Sequence, residues 1–136
     1  MTKVAVNGAA GRMGQTVIET AADRDDVEVV VGFDVEGPDE VQGIPVVDAA
    51  DAADALAEYD ADVAVDFTVP EATLSLAEAC REAGVGMIVG TTGFDEDGFA
   101  RLDDAAEDVP LLKATNFARG VHALLRAITE ALPAVP

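Results

Sequence analysis

Two lysines, one histidine and one cysteine are all that this 136-residue chain holds of those types. A single cysteine, Cys80, cannot build an internal disulfide framework. No apolar run approaches the roughly 18 residues that a membrane-spanning helix needs, so no membrane partner is expected. Positive charge is scarce. Only 8 Lys plus Arg stand against 27 Asp plus Glu, a formal net charge of -19. A field of that sign repels phosphate backbones, which argues against nucleic acid as a partner. The carboxylates are not joined by His or Cys at ligand spacing, so no metal site is expected. Met1-Thr2-Lys3 runs straight into a strand-like segment and leaves no room for a cleavable leader. The expected compartment is the cytoplasm.

What the chain does have is the material for a core. Half of its residues are hydrophobic, and its length suits one domain. The acids are spread over residues 23–26, 48–62 and 95–108, with Val and Ala periodicity between them. A disordered acidic tail would lack that periodicity. The pattern fits a folded domain with an acidic surface, of the kind salt-accumulating cells use. Short β-branched or apolar runs fall at residues 3–6, 27–33, 62–67, 86–89 and 109–112. Ala-rich stretches with helical spacing fall at 12–22, 49–58, 71–83, 97–107 and 120–132. Continuous apolar strands alternating with helices predict an α/β fold: a Rossmann-like, doubly wound parallel sheet with helices on both faces. Pro70 suits a first helical turn, Gly84 a helix stop and Asp95 an N-cap. Gly37-Pro38 and Ile44-Pro45 mark an irregular excursion after the second strand.

The sharpest local signal is Val4-Ala5-Val6-Asn7-Gly8-Ala9-Ala10-Gly11-Arg12-Met13-Gly14. A strand ends, glycines turn the chain and a helix begins. Such a loop lets backbone N–H groups and a helix N-terminus approach a pyrophosphate. The competing explanation is a plain structural turn, since glycine turns between strand and helix are common. The second strand adds weight, because it ends in Asp34, twenty residues after Gly14. An acid there can accept hydrogen bonds from the adenosine ribose hydroxyls. In so acidic a chain, an ordinary loop aspartate is the competing explanation.

Three more loops follow apolar strands: Asp66-Phe67-Thr68, Gly90-Thr91-Thr92-Gly93-Phe94 and Ala114-Thr115-Asn116-Phe117. All should gather at the carboxyl edge of the sheet, where open α/β sheets bind ligands. In this order, with the Gly8–Gly14 opening, they resemble the dihydrodipicolinate (4-hydroxy-tetrahydrodipicolinate) reductase family of the diaminopimelate route to lysine. The resemblance runs from Lys3 to about Leu125. It implies an NAD(P)H-dependent reductase acting on a dicarboxylated six-membered ring, and a homo-oligomer in the full-length enzyme. It implies cofactor contacts by Gly8, Ala9, Ala10, Gly11, Arg12 and Met13, with Asp34 on the adenosine ribose. It also implies that Gly90, Thr91, Thr92, Ala114, Thr115, Asn116 and Phe117 flank the nicotinamide. Residues 1–117 would form the dinucleotide-binding domain, and 118–136 the start of a substrate and catalytic domain.

Two departures from the family pattern matter. Members that also use the phosphorylated cofactor often carry an arginine just after the second-strand acid, and here that place is Val35. NADH is therefore expected over NADPH. The family's catalytic His-His pair and nearby Lys have no counterpart, so no catalytic residue is expected in this chain, which should stop short of that segment. His122, inside the last helical stretch, reads as a packing or surface residue. Cys80 reads as a buried helix cysteine. Tyr59 lacks the lysine four places on that short-chain-dehydrogenase chemistry needs, since Val63 stands there. Arg12 could reach a cofactor phosphate or simply face solvent. The alternative to the reductase reading is a stand-alone dinucleotide-binding or redox-sensing module without catalysis. A further Rossmann oxidoreductase sharing only the glycine loop is disfavoured by the other three loops.

Overall fold

A computed structural model describes residues 1–35 and 37–113. The expected site residues Ala114, Thr115, Asn116 and Phe117, the domain boundary after residue 117, the helical stretch 120–132 and His122 lie outside them. The strands are β1 (Thr2–Asn7), β2 (Val27–Asp34), β3 (Glu40–Val41), β4 (Ile44–Asp48), β5 (Val63–Asp66), β6 (Gly86–Val89) and β7 (Leu111–Lys113). The helices are α1 (Arg12–Ala22), α2 (Ala52–Glu58), α3 (Pro70–Ala83) and α4 (Glu96–Ala106). The sheet runs β3-β4-β2-β1-β5-β6-β7, and every pairing is parallel except β3 with β4. The expected doubly wound architecture is present. Its order reverses between β1 and β5, so the chain leaves these two neighbouring strands in opposite directions along the sheet.

Burial explains why the strands are continuous apolar runs. Along β1, Val4 and Val6 pack with Val17, Ile18 and Ala21 of α1. Ala5 turns to the other face, where Ala55 and Leu56 of α2, Ala77 and Cys80 of α3, and Leu102 of α4 form a second core. Local chemistry sets both ends of α3 and the start of α4. Pro70 opens α3, and Gly84, at φ 71°, closes it in the left-handed region that glycine favours. The Asp95 side chain caps α4 by accepting from the Gly98 N–H at 2.8 Å. The segment expected as one helix over 49–58 begins instead as a 3-10 turn (Ala49–Asp51), capped by Asp48 on the Ala50 N–H, before α2 takes over.

The stretch expected to be irregular lacks helix or strand at residues 37–39 but carries regular structure from Glu40 on. It forms a β-hairpin whose second strand, β4, joins the sheet beside β2. Gln42 and Gly43 make its two-residue turn, both at positive φ (51° and 83°), as a type I′ hairpin requires. Pro45 faces Glu40 in the hairpin register. Geometry makes this the non-hydrogen-bonded pair, so its missing N–H takes nothing from the hairpin. The next donor along, Val46, bonds the Asp39 carbonyl at 2.9 Å. A proline and a two-residue strand hid the hairpin from periodicity.

Surface charge is thinly compensated. The ion pairs among the described residues are Lys3–Asp60, Arg24–Asp26, Arg81–Glu78 and Arg81–Asp108, all partly exposed. Pairs of that kind contribute little each, so at a net charge of -19 self-repulsion opposes compactness. Salt shortens the reach of that repulsion from about 10 Å at 0.1 M to about 3 Å at 1 M. The midpoint of thermal unfolding should therefore climb as KCl rises into the molar range. A midpoint flat across that range in circular dichroism would contradict the repulsion argument.

Candidate functional site

The carboxyl ends of the parallel strands bring Asn7, Asp34, Asp48, Asp66 and Val89 to one edge of the sheet. At its centre β1 turns into the glycine loop. Gly8 sits at φ +81°, and a Cβ there would stand 2.8 Å from the Thr68 methyl, too close for any other residue. Gly14, one turn into α1, leaves no room for a Cβ against the Gly8 carbonyl oxygen. The missing side chains let α1 seat directly on the end of β1.

The loop's own N–H groups are turned inward. Those of Gly8 and Ala9 donate to the Phe33 carbonyl at 2.8 and 3.2 Å, and that of Gly11 to Gly8 at 3.0 Å. The Ala10 N–H donates to Asp34 Oδ2 at 3.0 Å. The donors that follow belong to the first turn of α1: Arg12, Met13 and Gly14. No side chain caps this helix, and no acid stands in its first turn. In a chain with 27 acids, α1 thus keeps an uncapped positive end while α3 and α4 carry Glu or Asp at theirs. Arg12 and Gly11 are exposed at this end, and Met13 is half-buried.

Asp34 ends β2 beside the loop. Each of its oxygens accepts one backbone N–H, from Ala10 (3.0 Å) and from Val35 (2.9 Å). A carboxylate oxygen has room for a second donor, so both remain able to accept. Val35 is 70% exposed and brings no charge. A cleft of about 460 Å³ opens next to it, between Asn7, Val35, the segment Asp48-Ala49-Ala50 and the first turns of α3 at Val69 and Ala72. The cleft and the uncapped end of α1 share the sheet edge. They offer an uncapped helix end, an acid with lone pairs to spare and an apolar-walled slot. The residues fit a dinucleotide.

Across the switch point the arrangement is less open. Asp66 is fully buried and accepts from four side chains: Asn7 Nδ2 (2.9 Å), Thr68 Oγ1 (2.7 Å), Thr73 Oγ1 (2.5 Å) and Thr91 Oγ1 (2.6 Å). The Thr91 hydroxyl also accepts from the Thr68 N–H at 2.8 Å. Gly90 donates its N–H to the Asp66 carbonyl at 2.8 Å. Thr91 therefore faces inward, and of the two threonines it is Thr92 that is exposed. Sequence marked Asp66 and Thr68 as part of a loop at the sheet edge and Asn7 as part of the glycine-loop segment, but not that these side chains, with Thr73 and Thr91, bond one another. Cys80 is buried, as expected. Burial, and secondarily the negative charge of Asp66, push its thiol up to about 12, far from a reactive thiolate. At the far side of the edge, the Lys113 ammonium lies 4.0 Å from the Phe99 ring centroid and 5.7 Å from that of Phe94.

Comparison with known proteins places this geometry. The profile described as dihydrodipicolinate reductase, N-terminus, matches residues 2–117. The chain belongs to that family. A 4-hydroxy-tetrahydrodipicolinate reductase of Haloarcula marismortui is 61% identical over 132 residues, covering 97% of this chain and 52% of the relative. One of Natronomonas pharaonis is 41% identical, covering 98% and 52%. The chain thus spans about half the length of the curated relatives it matches. Among solved structures, a dipicolinate-bound dihydrodipicolinate reductase from Paenisporosarcina sp. TG-14 superposes with a TM-score of 0.73 at 25% identity, covering 93% of this chain and 54% of that one. A Rex-family repressor in complex with β-NADH gives 0.65 at 15% identity, covering 96% and 61%. This second likeness shows the shared Rossmann-type fold alone.

Proposed function

We propose that the chain is the dinucleotide-holding half of a 4-hydroxy-tetrahydrodipicolinate reductase. The observation that carries the reading is the pairing of an uncapped α1 with Asp34 across the glycine loop, in a chain of this family. The N–H groups of Arg12 and Met13 bind the pyrophosphate, and the exposed Arg12 guanidinium offsets its charge. The turn of Gly8, Ala9, Ala10 and Gly11 shapes the approach, and Asp34 receives the adenosine ribose hydroxyls. The segments Gly90-Thr91-Thr92 and Ala114-Thr115-Asn116-Phe117 flank the nicotinamide. Bound NADH or NADPH supplies a hydride for an unsaturated, dicarboxylated ring in the route to lysine. The described residues contain no histidine. We assign proton delivery and carboxylate binding to the half of the full-length protein that the relatives have beyond this match, together with homo-oligomer contacts. The acidic surface suits a salt-rich cytoplasm.

Asp34 sets the cofactor preference. Two unit charges about 5 Å apart at an effective dielectric near 20 repel by about 3 kcal/mol, and Val35 offers nothing to offset a 2′-phosphate. NADH should bind about tenfold or more tightly than NADPH. Asp34→Asn, which can still accept from the Ala10 N–H, should narrow the gap. Fluorescence titration that finds NADPH the tighter ligand would contradict this assignment.

The reductase and the stand-alone binding module part on turnover. We expect the 136-residue chain to bind NADH without substrate-dependent oxidation. Joined to the remaining half of the Haloarcula marismortui relative, it should oxidise NADH only when the preceding synthase supplies the ring. A folded chimera that binds NADH but never turns over would favour the binding module. Steady turnover by the chain alone would overturn the division of labour.

A further inference from the structure

Asn7 and Asp66 are register partners on adjacent strands and the last residues of both. Beyond them the chain leaves β1 toward the glycine loop and β5 toward Thr68 and α3. Their side-chain bond (2.9 Å, buried) closes the sheet at its fork. The same carboxylate reaches the loop after β6 through Thr91 (2.6 Å) and the first turn of α3 through Thr73. Both Asp66 oxygens hold two donors each, and the Thr91 hydroxyl both donates and accepts. A hydroxyl has one proton to donate, so Thr91 has none for a ligand.

We propose that Asp66 is a positioning residue which, through Asn7, Thr68 and Thr91, fixes the spacing between the glycine loop and the loop at residues 90–92. This rests on the dinucleotide reading above and adds what holds the two halves of that site in register. A buried network with every member satisfied has one low-energy arrangement, which is what a ligand bridging two loops requires. The adenosine diphosphate half of the cofactor needs only α1, the glycine loop and Asp34. The whole dinucleotide needs both loops at the right separation. Thr91 then acts indirectly, through its bonds to Asp66 and the Thr68 N–H, and Thr92 is the side chain left facing outward.

The test compares ligands of two lengths on three proteins: the chain itself, Thr91→Val and Thr91→Ser. Thr91→Val removes both hydrogen bonds with little change of shape. It should weaken NADH binding by about tenfold while ADP stays within about twofold of the parent. Thr91→Ser, which keeps the hydroxyl, should restore NADH binding. By hydrogen exchange, the Thr68 amide should open faster in Thr91→Val while the amides of residues 8–11 do not. If Thr91→Val does not fold, Asp66→Asn provides the same comparison with the same expected split. Equal loss of NADH and ADP would reduce the network to bulk stability, and unchanged binding of both would remove its role; either result overturns the proposal. A parent chain that binds neither ligand would instead overturn the dinucleotide reading, and the inference with it.

Discussion

A wholly buried carboxylate with no ion-pair partner among the described residues can persist only if neutral donors surround it. Asp66 finds four, from the end of β1, the loop after β5, the first turn of α3 and the loop after β6. Removing any one would leave a buried polar group short of a partner, at a cost of about 1–3 kcal/mol. The network therefore constrains where four pieces of chain can lie. Those pieces surround the point where strand order reverses, the place where α/β sheets hold ligands. Fold and site share one constraint.

Apolar packing brings the strands there. β1 is buried on both faces, with Val4 and Val6 against α1 and Ala5 against the α2–α4 layer. That burial is why the strand can end abruptly in a loop whose glycines are set by contact: Gly8 by Thr68, Gly14 by the Gly8 carbonyl. The loop's N–H groups bond Phe33, Asp34 and Gly8 itself, so the turn is preorganised and its donors are already taken. The open groups are those of α1, whose N-terminus no side chain caps. Asp34 consequently has two tasks, bracing the loop through Ala10 and offering its remaining lone pairs outward.

Much of this was readable from the residues. Periodicity located α1 at residues 12–22 and β6 at 86–89 with the bounds observed, helped by Gly11 before α1 and Gly90 after β6. The hairpin of β3 and β4 escaped because Pro45 and a two-residue strand carry no period, and its turn depends on Gln42 accepting a positive φ. The glycine loop and Asp34 were legible as a pair through their spacing. The bond between Asp34 and Ala10 was not, since spacing says nothing about which backbone donor a carboxylate meets. The burial of Asp66 and the inward turn of Thr91 were hidden for a related reason: motifs placed both at the sheet edge, but burial and bonding are properties of the assembled sheet.

The proposed function stands on one event, the binding of a nicotinamide dinucleotide at the uncapped end of α1 and Asp34. Backbone amide shifts of the labelled chain, mapped during NADH titration, would locate that event residue by residue. Saturable shifts should concentrate at residues 8–14, at Asp34 and Val35, and at residues 90–92, while the groove lined by Ile18, Ala22, Val29, Gln42 and Ile44, between α1 and the β3–β4 hairpin, stays unmoved. Saturable shifts confined to that groove, with the glycine loop and Asp34 silent, would contradict it.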